Sequence, residues 1–160
     1  MLITYQEDLP EGKDWIYQIK YDGFRCGVEW TAGTIRLWSR NGKELTKQFP
    51  EIVEACERLS NQISDFLPIL LDGELVVLRT TYQAEFPLIQ KRGRMRAADK
   101  IKRTSNERPA TFICFDILQF KGKDTTKHST EKRQHLLESI FQQMDANNRI
   151  KPITTFNKTD

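Results

Sequence analysis

Between Ile16 and Tyr21 the chain alternates, with Ile16, Gln18 and Lys20 on one face of a strand and Tyr17, Ile19 and Tyr21 on the other. Asp22-Gly23 ends that run as a turn. Phe24, Cys26, Val28 and Trp30 then alternate with Arg25, Gly27 and Glu29, which predicts a second strand. Thr31-Ala32-Gly33 turns the chain into a third strand, through Ile35 and Leu37 up to Asn41-Gly42. After Pro50, at a first helical position, the period changes: Ile52, Cys56, Leu59 and Ile63 recur at helical spacing. Ile69 to Leu78 reads as an aliphatic strand interrupted by Asp72-Gly73-Glu74. Ala110 to Leu118 is another, with Phe112, Cys114 and Asp116 on one face and Ile113 and Phe115 on the other. Thr130 to Met144 reads as an amphipathic helix through Leu136, Leu137, Ile140, Phe141 and Met144. Strands dominate and do not alternate strictly with helices, so the fold class expected is α+β, antiparallel sheets with packed helices.

Composition narrows this to one soluble globular domain. The chain has 160 residues, 38% hydrophobic and 29% charged, with a mean hydropathy of −0.60. No run of 18 apolar residues exists to span a membrane, and the acidic N-terminal stretch does not read as an export signal. Cys26, Cys56 and Cys114 form no close pair, and only His128 and His135 accompany them, which argues against a disulfide framework or a thiolate–imidazole zinc site. A cytoplasmic, nucleoid-associated location is expected. The net charge of +3 says little globally. Locally, Lys91, Arg92, Arg94, Arg96, Lys100, Lys102 and Arg103 stand against Asp99 alone. Their mutual repulsion predicts an extended, mobile excursion, and its two readings are a solvated loop or a surface for nucleic-acid phosphates.

Four short segments carry candidate chemistry. In IKYDGFR, Lys20 sits at a strand end beside Asp22-Gly23, with Arg25 close behind. It is either a solvated lysine or a nucleophile whose pKa a nearby cation lowers. SRNGK puts Arg40 and Lys43 beside a tight turn. LDGEL puts Asp72 and Glu74 on one face of an aliphatic strand, where carboxylates either bind something or pair with a neighbouring strand. Phe115-Asp116 lies in a strand that reads as buried, where phenylalanine is ordinarily core.

Together these segments resemble the covalent nucleotidyltransferases: ATP-dependent DNA ligases, RNA ligases and mRNA capping enzymes. KYDGFR looks like their nucleophile motif, Lys-x-Asp-Gly-x-Arg; SRNGK, DGEL and FDIL look like the next three motifs, in the family's order. YQIKYDGFRC, LWSRNGKELTKQFPEI, LDGELVVL, FPLIQKRGR and CFDIL look most like the ligase module of bacterial non-homologous end-joining ligases. The resemblance implies a nucleotidyltransferase, ATP-grasp-like adenylation domain that uses ATP and Mg2+. It makes Lys20 the residue that takes AMP and Phe115 a platform for adenine. Glu74 would meet the ribose hydroxyls, and Arg25 the ribose or phosphate. Arg40 would contact a nucleotide or DNA phosphate. Asp22 and Gly23 belong to the nucleophile motif. Gln18 stands where the family usually has a glutamate reading the adenine amino group; its carbonyl still accepts a hydrogen bond but carries no charge.

Implied partners are nicked or broken duplex DNA, met by Arg40, Lys43, Lys91, Arg92, Arg94 and Arg96, with a Ku-type end-binding protein and a polymerase domain. No metal ligand is identified. Residues 119 to 160 hold no Glu-Gly pair, and their one Lys-x-Lys, Lys121-Gly122-Lys123, directly follows the fourth motif instead of coming after such a pair. The chain therefore reads as residues 1–160 of the N-terminal part of one adenylation domain, without its C-terminal motifs or an OB-fold, and weak activity alone is expected. RNA ligase or capping chemistry, or a non-catalytic nucleic-acid-binding remnant, are the alternatives.

Overall fold

The first alternating stretches become a sheet whose two faces have different fates. The structure, a computed structural model, describes residues 7–10, 12 and 15–156. Its strands and helices run β1 (Tyr17–Gln18), β2 (Phe24–Trp30), β3 (Ile35–Ser39), α1 (Pro50–Leu59), β4 (Ile69–Val76), β5 (Leu78–Thr80) and β6 (Gln83–Ala84). Then follow α2 (Phe86–Arg94), α3 (Ala98–Glu107), β7 (Thr111–Phe120), β8 (Lys123–Asp124), α4 (Thr130–Phe141), β9 (Ile150–Pro152) and β10 (Thr155–Phe156). The main sheet has the order β3-β2-β4-β7-β8; these pairs are antiparallel, while β9 pairs in parallel with β7. Two small ribbons, β1–β10 and β5–β6, flank it. Among the described residues no helix is long and apolar enough to cross a membrane.

One face of the sheet is the core. Cys26, Val28 and Trp30 of β2, Ile69, Leu71 and Leu75 of β4, and Phe112, Cys114 and Ile117 of β7 cluster with Ile52, Cys56 and Leu59 of α1 and Leu137 and Ile140 of α4. That is the face alternation assigns to solvent exclusion, and all three cysteines are buried in it as free thiols. The opposite face carries a much smaller apolar cluster, Tyr21, Val76 and Ile113, and leaves Arg25, Asp72, Glu74 and Phe115 to do something other than fill a core.

Three sequence expectations are corrected. The first strand is two residues, not six: Tyr17 and Gln18 pair with Phe156 and Thr155, and Ile19 to Gly23 leaves the ladder to cross the sheet end. Most of the cation-rich stretch is helical: Lys91, Arg92 and Arg94 lie on α2 and Lys100, Lys102 and Arg103 on α3, and only the link 95–97, with Arg96, is extended. A helix fans its side chains outward, so like charges adjacent in sequence need not face each other. Lys91, Arg94, Arg96, Lys100, Lys102 and Arg103 are exposed, whereas Arg92 turns inward with Ile89 and is 1% exposed. Arg92 Nη1 lies 2.8 Å from Glu51 Oε1 and Nη2 donates to Gln48 O at 2.7 Å, so Arg92 ties α2 to α1 and is withdrawn from any duplex. Finally, simple alternation separates Phe115 from Asp116, but β7 bulges there. Asp72 pairs with Asp116 and Gly73 with Cys114, so Phe115 is the extra residue opposite β4. The bulge brings Phe115 and Asp116 to the same face.

Candidate functional site

Strand register builds the site row by row. Arg25 of β2, Glu74 of β4 and Ile113 of β7 are consecutive cross-strand partners, and Asp72 pairs with Asp116 in the next row. Arg25 therefore stands diagonally from Asp72, within reach of a long side chain. Its Nε donates to Asp72 Oδ1 at 2.6 Å and its Nη2 to Oδ2, a two-point fork. The guanidinium carbon also sits 4.7 Å from the centre of the Phe115 ring. Strand pairing, one of the two readings open for Asp72, is thus the one realised.

Above this row lies the turn Ile19 to Gly23. A Cβ on Gly23 would stand 2.2 Å from Leu75 O and 2.8 Å from Val76 Cγ1, so only glycine lets the turn lie flat on β4. The Gly23 N–H then donates to the Glu74 carboxylate. Burial pushes the Glu74 carboxyl above its ordinary value, and that hydrogen bond, Arg25 and Lys20 offset part of the rise. The flat turn also presents Lys20, whose Nζ lies 2.7 Å from Asp22 Oδ1 with 70% of the side chain exposed. Its pKa is raised, first by the hydrogen bond and charge of Asp22. The expected lowering by Arg25 is absent, because Arg25 is engaged by Asp72 and the charge nearest Lys20 is an anion.

A cleft of about 530 Å³ opens over these groups. Gln18, Lys20, Asp22, Gly23, Arg25, Arg40, Glu74 and Phe115 all line it, drawn from the β1–β2 turn, the turn after β3, the centre of β4 and the β7 bulge. Gly42, at φ +74°, closes the turn that presents Arg40: Gly42 N donates to Ser39 O at 2.9 Å. Gln18 Nε2 makes a long contact of 3.5 Å to Thr155 Oγ1, which leaves its carbonyl as the acceptor. Lys43 is exposed on the same turn as Arg40 but does not line the cleft, nor do Lys91, Arg92, Arg94 and Arg96.

Ile19, Tyr21, Phe86, Ile113 and Ile153 complete the walls and were not singled out by the sequence. Ile113 was legible, since register places it beside Glu74; Phe86 and Ile153 reach the cleft only through tertiary packing. Among the described residues no three His, Cys, Asp or Glu side chains converge as a metal site. A planar apolar ring, a carboxylate and several cations around one opening suit a ligand with a flat base, hydroxyls and phosphates.

Comparison with known proteins agrees with this geometry. The profile of the ATP dependent DNA ligase domain matches residues 3–160. The bifunctional non-homologous end joining protein LigD of Bacillus subtilis is 39% identical over 132 residues, 82% of this chain and 22% of that protein. A DNA ligase of Thermoplasma volcanium is 35% identical over 132 residues, 81% of this chain and 21% of that protein. A solved structure of mycobacterial DNA ligase D complexed with ATP and MES superposes with a TM-score of 0.66 at 25% identity, covering 89% of this chain and 40% of that one. The chain spans about a fifth of the length of these two curated relatives.

Proposed function

This chain belongs to the ATP-dependent DNA ligase domain family, and from that premise we propose that its cleft binds ATP and that Lys20 takes AMP from it. The observation that carries the reading is the convergence of Lys20, Arg25, Arg40, Glu74 and Phe115, from four separate segments, on one cleft. Lys20 Nζ, once deprotonated, attacks the α-phosphorus. A P–N bond forms, the bond to the β-phosphate oxygen breaks, and pyrophosphate leaves with the electron pair. The amine sheds its second proton as the phosphoramidate forms. Phe115 stacks on the base, Glu74 accepts from the ribose hydroxyls and the Gln18 carbonyl accepts from the exocyclic amine. Arg40 meets a phosphate with its forked donors. Asp22 and Gly23 hold the nucleophile turn.

A magnesium ion bound with the triphosphate would spread its charge. Such ions take only one or two protein carboxylates beside substrate oxygens, which fits a site without a cage of three.

The acceptor we propose is a 5′-phosphate in nicked or broken duplex DNA, reached across Arg40 and Lys43. The exposed Lys91, Arg94 and Arg96 would bind backbone phosphates away from the nucleotide. With Lys100, Arg103 and Arg108 they belong to the basic surface of α2 and α3, where a second cleft of about 570 Å³ is lined by Lys91, Lys100, Arg103 and Arg108. A Ku-type end-binding protein and a polymerase domain are the further partners of this reading. Incubation with α-labelled ATP and magnesium, followed by a denaturing gel, tests it. Acid-labile label is expected on the wild-type chain, supplied if needed with the remaining ligase segment, and none on Lys20→Ala at unchanged melting temperature. Label that persists in that variant removes Lys20 from the role; label from GTP but not ATP favours a capping enzyme.

A further inference from the structure

The β7 bulge that presents Phe115 is held from behind by two consecutive residues of α4. Phe115 is the residue left without a partner on β4, so its carbonyl needs another donor. Gln134 Nε2 supplies it at 2.9 Å. Next to it, Arg133 Nε donates to Asp116 Oδ1 at 2.7 Å and Nη2 to Oδ2 at 3.2 Å, while Nη1 donates to His128 O at 2.5 Å. Asp116 Oδ1 also accepts from the Ile117 N–H at 2.9 Å, which fixes the carboxylate against its own backbone. Both members of the ion pair are largely buried, at 16% and 13% side-chain exposure. One turn of α4 thus grips both residues of the bulge, one by its carbonyl and one by its carboxylate.

The grip has an electrostatic side. Asp116 lies directly across from Asp72, and both carboxylates act on Arg25. Arg133 neutralises Asp116. Arg25 forks onto Asp72, and in that position its guanidinium covers the Phe115 ring at 4.7 Å. Without Arg133 an uncompensated carboxylate would compete for Arg25 and draw it off the ring.

We infer that Arg133 and Gln134 are positioning residues for the base platform: they set the orientation of the Phe115 ring, and through it the cleft's preference for a purine base over bare phosphates. The inference rests on the nucleotide reading of the cleft. Neither residue lines the cleft, so each acts through Phe115 and Asp116.

The test compares the affinities of the purified chain for ATP and for inorganic tripolyphosphate, by titration calorimetry, in wild type, Gln134→Glu, Arg133→Ala and Phe115→Ala. Gln134→Glu is the sharpest probe. It keeps the shape and the helical propensity of the side chain, removes the donor and sets a carboxylate against the Phe115 carbonyl. Base–aromatic stacking corresponds to roughly 5- to 150-fold in affinity. The expected result is that Phe115→Ala loses most of the preference for ATP over tripolyphosphate. Gln134→Glu and Arg133→Ala should each lose several-fold of it, and tripolyphosphate affinity should be unchanged in all three. Equal weakening of both ligands would make α4 a support of the fold alone and overturn the inference, as would wild-type preference in Gln134→Glu. A wild-type chain with no preference for ATP would instead sink the nucleotide reading, and this inference with it.

Discussion

Lys20 stands at the mouth of the cleft as an ammonium ion paired with Asp22, the opposite of an activated nucleophile. Its raised pKa means that the reactive neutral amine grows scarcer as pH falls. Self-adenylation should therefore accelerate as pH rises from about 7 to 10. Asp22→Asn removes the anion, lowers the pKa of Lys20 and should move that rise to lower pH; initial labelling rates across the range check it, and an unmoved profile would exclude Asp22 as the cause. Glu74 behaves differently. Burial raises its pKa above the ordinary 4.5, so the folded state holds this proton more tightly than the unfolded one. Its contribution to stability is full below the ordinary value and is lost as pH rises through the folded one. Glu74→Gln keeps an acceptor for the Gly23 N–H and removes that loss. We expect a higher melting temperature than wild type near pH 7, converging with it near pH 3, and weaker ATP binding. Such a gain in stability at the expense of binding is characteristic of a functional carboxylate.

At the scale of elements, helix α2 divides one run of cations into two kinds. Its exposed members are available to a polyanion, while Arg92 is structural: it pairs with Glu51, bonds Gln48 O and lies 5.2 Å from the centre of the Phe49 ring. Arg92→Met leaves Glu51 buried without its cation and should destabilise the chain by about 3–5 kcal/mol, read by urea denaturation. A loss below about 1 kcal/mol would show that the pair is dispensable. Nothing in the spacing of Lys91, Arg92 and Arg94 marks the middle one as buried; only the docking of α2 on α1 does. The strands tell a similar story. Alternation in β2 and β4 was legible and correctly separated the core face from the face bearing Arg25 and Glu74. In β7 it failed at one step, because a bulge changes parity and its signal lies in Gln134 and Arg133, far away in sequence.

Over the whole molecule, α2 contributes to both the cleft at Lys20 and the basic surface, with Phe86 lining the one and Lys91 the other. If that surface meets duplex phosphates, affinity should fall steeply with salt, by about one unit of log–log slope per contact. Lys91→Gln, Arg94→Gln and Arg96→Gln together should flatten the slope by up to about 3 and leave ATP binding unchanged. Fluorescence anisotropy on nicked duplex provides the measurement, and an unaltered slope would reduce the run to a solvated helix face. What the sequence determined by itself was local: the alternation that sorts strand faces, the turn at Asp22-Gly23, and the residue types and order of KYDGFR, SRNGK, DGEL and FDIL. Those features are set by backbone sterics and by the chemistry of each side chain, which a linear pattern records. The tertiary structure alone decided that Lys20 faces Asp22, that Arg25 is held between Asp72 and Phe115, and that Arg92 is inside. Each of these depends on a partner 2 to 90 residues away whose position follows from strand register and helix docking, and charge signs along a chain do not specify which neighbour a side chain will meet.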